Sequence, residues 1–189
     1  MVSVCHSNVV ASQGLSPDFS PLNRLHTKLN RNINLIYRNY ETKLNLKIIK
    51  NIRDSCIKQK RKFFLSNNLK IALSLKLDGV YIPSFNNLNN FKNLSSNKKF
   101  KIIGSAHNKM QLIIKKKQGC SEVFIAPIFK SKKSNFFLDI SRFNLISNFY
   151  DLEIIALGGI NLSNYRKLRS AKCSGFAAID WIKKTGLKN

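Results

Sequence analysis

Short, nearly continuous apolar runs alternate along the chain with longer stretches whose apolar positions recur at helical spacing. Ile33 to Tyr40 (INLIYRNY) reads as a strand. Leu44 to Lys60 follows as a helix, with Leu44, Ile48, Ile52 and Ile57 on one face and basic residues on the other. Lys62 to Asn67 (KFFLSN) is the next strand, and a helical stretch runs on through Ala72 and Leu75. Asp78 to Pro83 (DGVYIP) is a strand that Pro83 ends. Phe100 to Ala106 and Val123 to Phe129 are further strands, separated by a helix over Met110 to Lys117. A helix around Phe143 to Phe149 follows, then the strand Glu153 to Ile160 (EIIALGGI). A helix through Tyr165 and Leu168 and a last strand, Phe176 to Trp181, complete the pattern.

Repeated strand–helix units imply a parallel sheet, and runs such as VFIAPIF and IIALGGI suit strands buried on both faces. No GxGxxG follows the first strand and no composition break divides two lobes, so a closed barrel is expected rather than an open nucleotide-binding sheet. The fold class is α/β, a TIM (β/α)8-like barrel trimmed at its first unit and its last helix. The missing strand is sought in Val2 to Val10 (VSVCHSNVV), because Gly14, Pro17 and Pro21 make the next segment a poor helix. Residues 1–30 are read as a divergent N-terminal segment and 31–189 as the barrel domain.

At 189 residues the chain is long enough for one core. Charge is the loudest compositional signal, with 33 Lys+Arg against 9 Asp+Glu and a formal net charge of +24. Such a balance attracts polyanions or phosphorylated metabolites. The basic residues spread from Arg24 to Lys188, and the chain is also rich in Asn, Ile and Phe, so A/T-rich coding explains most of the lysine excess. With no aromatic-plus-basic stacking motif and no helix-turn-helix signal, a nucleic-acid partner is not expected. No apolar run approaches the ~18–20 residues of a membrane-spanning helix, and the first thirty residues hold no signal-peptide core. A cytosolic protein is expected. Cys5, Cys56, Cys120 and Cys173 form no CxxC pair and the histidines lack ligand spacing, which argues against disulfides or zinc.

Three strand ends carry chemistry. ALGGI before Asn161 offers paired glycines through which backbone N–H groups can approach an anion. GFAAID again has small residues near a strand tip, and in such barrels the last two loops commonly hold phosphate. APIFKSKKS adds Ser131, Lys132 and Lys133, a hydroxyl and two ammonium groups suited to a diphosphate.

The order IIGSAHN, GCSEVFIAPIFKSKK, IIALGGIN, CSGFAAI is similar to the second half of the thiamine phosphate synthase/TenI family. INLIYRNYE, FFLSNN and DGVYIPSFN resemble its first half, so the likeness runs over residues 33 to 182. The resemblance implies a synthase that joins hydroxymethylpyrimidine diphosphate to thiazole phosphate with Mg²⁺ assistance, releasing pyrophosphate. Its partners are then phosphorylated pyrimidine and thiazole small molecules, and a homo-oligomer is compatible with it. Carried over by position, Arg38 and Asn67 lie on the pyrimidine diphosphate side and Ser105 matches the serine of a Gly-x-Ser element. Ser131 stands for a loop threonine, Lys132 or Lys133 for a diphosphate lysine, and Gly159 and Ile179 for backbone positions that hold thiazole phosphate. Asp180 falls where serine is usual, on the phosphate side. The family's Mg²⁺ ligands fall at Asn68 and Asn86, whose amides lack a carboxylate's charge, and Tyr40 stands at a lysine position. Glu41 and Asp139 are the carboxylates placed to compensate. His107, in SAH, resembles a histidine of TenI-type thiazole tautomerases and is the candidate acid–base group. The alternative functions are therefore a tautomerase or a non-catalytic paralogue that binds thiazole phosphate.

Overall fold

A computed structural model of the chain describes residues 8–13, 33–40, 44–88, 91, 94, 99–131, 135–148, 151–178 and 181. Its strands close in chain order into a parallel barrel of eight. They are β1 (Asn8–Gln13), β2 (Ile33–Arg38), β3 (Phe63–Ser66), β4 (Gly79–Ile82), β5 (Lys101–Ala106), β6 (Glu122–Ile125), β7 (Glu153–Leu157) and β8 (Gly175–Ala177). β1 pairs with β2 from Asn8 against Ile33 to Gln13 against Arg38, and Val9 opposite Ala177 closes the seam to β8. The first strand thus exists but sits later than Val2 to Val10, in full register with β2. The segments after β1 and beyond Trp181, where the barrel was expected to be trimmed, lie outside the described residues.

Side-chain alternation divides the core in two. Ile36, Phe64, Tyr81, Ile103, Phe124, Ile155 and Ala177 fill the lumen. Leu35, Tyr37, Phe63, Leu65, Ile102, Val123 and Ile154 point outward into a second, larger cluster with the helices.

The helices are α1 (Leu46–Lys58), α2 (Leu69–Ser74), α3 (Lys109–Lys117) and α4 (Asp139–Ser147). Asparagine begins three of them. Asn45, Asn68 and Asn108 each accept backbone N–H groups of the first turn, which would otherwise lack partners. On α1 the buried face is Ile49, Ile52 and Cys56, while Ile57 is 66% exposed. The expected face was therefore rotated by about one residue, because Cys56 and Ile49 complete the stripe through Ile52. In place of the helix expected through Tyr165 and Leu168 there is a 3-10 helix, Tyr165–Ser170, with no fully buried residue. Its two apolar residues stand three apart, the spacing that eclipses in a 3-10 turn and supplies too narrow a stripe for an α-helix. No described helix is long and apolar enough to cross a membrane.

Among the described residues one lysine is fully buried. Lys115 of α3 sends its Nζ to the Asn86 carbonyl (2.7 Å) and to Gln118 Oε1 (2.9 Å). Gln118 Nε2 donates to the carbonyls of Asn86 (2.9 Å) and Leu88 (2.8 Å). Together they pin the loop after β4 from behind. Burial lowers the Lys115 pKa to about 8, and burial raises the Cys56 and Cys120 thiols to about 12.

These shifts predict a stability maximum near pH 9. Between pH 8 and 9 the native lysine loses its proton while the unfolded one keeps it, so stability rises. Above pH 9 the unfolded thiols ionise while the native ones stay protonated, and the two thiols outweigh the one lysine. Urea denaturation at a series of pH values should show this rise and fall, and Lys115→Met should abolish the rise alone.

Candidate functional site

The carboxyl ends of the strands carry the polar groups. Arg38 ends β2, and its guanidinium lies 5.4 Å from the Tyr40 ring centre and 5.6 Å from that of Tyr81. Its Nε donates to the Tyr40 hydroxyl at 3.3 Å, and that hydroxyl is 2.7 Å from Ser66 Oγ at the end of β3. The Tyr40 ring meets Phe85 edge-on, with centres 5.3 Å apart. The cation is thus held by two faces and one hydroxyl. Tyr81 is buried in the lumen, its pKa raised by burial against the opposing pull of Arg38 and a hydrogen bond with Ser105. Arg38, Tyr40, Ser66, Tyr81 and Ser105 therefore make one polar layer over the apolar lumen.

Beside that layer lie the three asparagines. Asn67 adopts a left-handed backbone (φ 57°), which asparagine tolerates better than most residues, and its N–H donates to the Tyr81 carbonyl at 2.9 Å. Its Oδ1 accepts from Asn86 Nδ2 at 2.6 Å. Asn86 Oδ1 in turn accepts the Leu88 N–H at 2.8 Å, and Asn68 Oδ1 accepts the Ile71 N–H at 3.0 Å. The two positions at which the resemblance puts Mg²⁺ ligands therefore offer one amide oxygen each, already used by a backbone donor. Among the described residues no three of His, Cys, Asp or Glu come together. Asp139 Oδ1 accepts the Arg142 N–H (2.9 Å) in the first turn of α4, and Glu41 lies outside the described residues. Two uncharged amide oxygens, each already accepting a backbone N–H, are a poor fit for a hard divalent cation.

The opposite side is built by backbone contact. Gly158 (φ 96°) and Gly159 (φ 70°) follow β7 in conformations that suit glycine. The loop after β6 presses onto them: Ile128 N–H donates to the Leu157 carbonyl (2.9 Å) and Phe129 N–H to that of Gly158 (3.1 Å). A Cβ on Gly158 would sit 2.7 Å from Pro127 Cα, and one on Gly159 would be 2.6 Å from the Phe129 carbonyl carbon. The paired glycines thus let the β6 loop, which leads to Ser131, dock on β7. Behind Gly159, Asn164 Nδ2 donates to its carbonyl at 2.8 Å.

His107 follows β5 and is exposed, with Nδ1 at 2.7 Å from the Ala126 carbonyl. A carbonyl only accepts, so Nδ1 carries the proton and the neutral ring keeps its lone pair on Nε2. Of the expected residues, Asn67 and Asn86 meet directly, Ser105 joins Arg38 through Tyr81, and Gly159 contacts the loop leading to Ser131. Lys132, Lys133, Ile179 and Asp180 lie outside the described residues. Sequence reading passed over Ser66, Tyr81 and Phe85. Alternation from Phe64 to Ser66 would have placed Ser66 in the lumen layer; Phe85 carries no such signal.

A family model described as "Thiamine monophosphate synthase" matches residues 9–182, from the second residue of β1 onward. A thiamine-phosphate synthase of Pelagibacter ubique is 31% identical over 148 residues, covering 75% of this chain and 70% of that protein. One from Prochlorococcus marinus is 30% identical over 157 residues, covering 77% of this chain; the match spans only 43% of that relative's length. Among solved structures, thiamine phosphate pyrophosphorylase from Pyrococcus furiosus superposes with a TM-score of 0.73 at 18% identity, over 96% of this chain and 92% of that one. At that identity the likeness speaks to the fold.

Tyr40→Phe should cost about 1–2 kcal/mol, since Ser66 is buried and loses its hydroxyl partner. The midpoint of urea unfolding at pH 7 checks this.

Proposed function

This chain belongs to the thiamine monophosphate synthase family, and from that premise we propose that it joins hydroxymethylpyrimidine diphosphate to thiazole phosphate. The bond between the pyrimidine methylene carbon and the diphosphate oxygen breaks, and pyrophosphate leaves with the electron pair. The thiazole nitrogen lone pair then forms the new C–N bond. Such a reaction needs stabilisation of the departing anion more than a protein nucleophile. The observation that carries the reading is the cationic, N–H-rich layer around Arg38 at the carboxyl end, above an apolar lumen. In this reading Arg38 and Asn67 face the diphosphate, with Ser131, Lys132 and Lys133 approaching from the β6 loop. Gly159 and Ile179 hold the thiazole phosphate by backbone N–H groups. The buried, unpaired thiols of Cys56 and Cys120 suit a reducing, cytosolic setting.

The test supplies the full chain with both substrates and measures thiamine phosphate. Turnover is expected, and Arg38→Ala should lower kcat/KM by about 10- to 100-fold, the value of one charge-assisted contact. Absence of turnover with retained thiazole phosphate binding would sink the synthase reading.

A second reading, a thiazole tautomerase, is favoured by one observation: the fixed tautomer of His107 leaves Nε2 as a base at the barrel mouth. If it holds, thiazole isomerisation is detectable and His107→Asn lowers it by about 10²- to 10⁴-fold. Equal isomerisation rates in the two proteins would remove this reading.

A further inference from the structure

We propose that the β3/β4 side of the site holds a diphosphate or pyrophosphate group directly through N–H donors, with no divalent cation between protein and anion. The inference rests on reading this end of the barrel as a diphosphate seat.

The hydrogen bonds fix which way the amides face. Asn86 Oδ1 accepts a backbone N–H from Leu88, so its amide cannot be turned over without setting nitrogen against a donor. Its Nδ2 must then donate to Asn67, which commits Asn67 Oδ1. Asn68 Oδ1 is likewise committed to Ile71 N–H. Each of the three side-chain oxygens thereby accepts a hydrogen bond from the protein, and the amide N–H donors of Asn67 and Asn68 are left for a ligand.

Charge points the same way. Arg38 ends β2, the strand paired with β3, whose end leads into Asn67 and Asn68, and it is held over Tyr40 and Tyr81. The Lys115 ammonium lies 2.7 Å from the Asn86 carbonyl. Two cations on this side of the barrel, with only neutral amides as ligands, disfavour a divalent cation and attract an anion. Four of the described carboxylates have protein partners of their own: Asp54 pairs with Arg53, Asp78 accepts the Phe63 N–H, Glu122 pairs with Lys101 and Asp139 accepts the Arg142 N–H. Asp151 and Glu153 belong to the amino end of β7, the opposite mouth of the barrel.

The experiment titrates the full chain with inorganic pyrophosphate by calorimetry at constant ionic strength, in EDTA and in Mg²⁺. The expected Kd values agree within about threefold. Arg38→Ala weakens binding in EDTA at least tenfold, which separates this site from diffuse attraction to a chain of net charge +24. Asn68→Asp combined with Asn86→Asp weakens binding in EDTA at least tenfold and makes it Mg²⁺-dependent. Wild-type binding at least tenfold tighter in Mg²⁺ overturns the inference, as does binding that Arg38→Ala leaves unchanged, or none at all. Mg²⁺-dependent binding with thiamine phosphate turnover overturns this inference and leaves the proposed function standing. Metal-independent binding without turnover does the reverse.

Discussion

Closing eight parallel strands on themselves leaves each strand with two buried faces, and alternation assigns every side chain to one of them. The lumen admits one residue in two from each strand, so it fills in layers. Ile36, Phe64, Ile103, Phe124 and Ile155 make the layers apolar through the middle. The next residues of the same parity, Arg38, Ser66 and Ser105, are polar and emerge at the carboxyl end. The site is thus where the lumen-facing parity of the strands runs past the apolar core. Hydrogen bonding across neighbouring strands holds those tips in register and so positions the polar layer.

Two backbone arrangements support that layer from either side. On one, the β6 loop lies against Gly158 and Gly159 so closely that a side chain at either would displace it. On the other, Lys115 and Gln118 grip the carbonyls of Asn86 and Leu88 from α3. A buried ammonium is costly unless its hydrogen bonds are met, and here two oxygens meet them. The loop it holds presents Asn86 to Asn67, so a residue in the helical layer orients one at the strand ends.

The net charge of +24 takes on meaning only locally. Spread over the surface, most of it is screened beyond about 10 Å at ordinary salt. Arg38 differs because aromatic faces and a hydroxyl immobilise it beside neutral donors, where a fixed charge needs no reorganisation to meet an anion. On the function proposed for this site, Arg38 meets a phosphate group, and the amides of Asn67 and Asn68 offer it N–H donors.

The sequence by itself determined the alternation of strand and helix, the class of barrel and the family, because apolar periodicity and motif order are local properties of the chain. It also determined which residues stand at the strand tips, since parity is counted along a strand. Tertiary structure alone decided the rest. The start of β1 depended on pairing with β2 across a segment that carries no signal of its own. Whether Ile57 or Cys56 faced inward depended on the rotation of α1 against the sheet. That Lys115 would be buried, or that Asn67 and Asn86 would meet, could not be counted from spacing, because each joins residues distant in sequence through the geometry of closure. A side chain's type is written in the chain, but which of its atoms remains for a ligand is decided by the partners that folding brings to it.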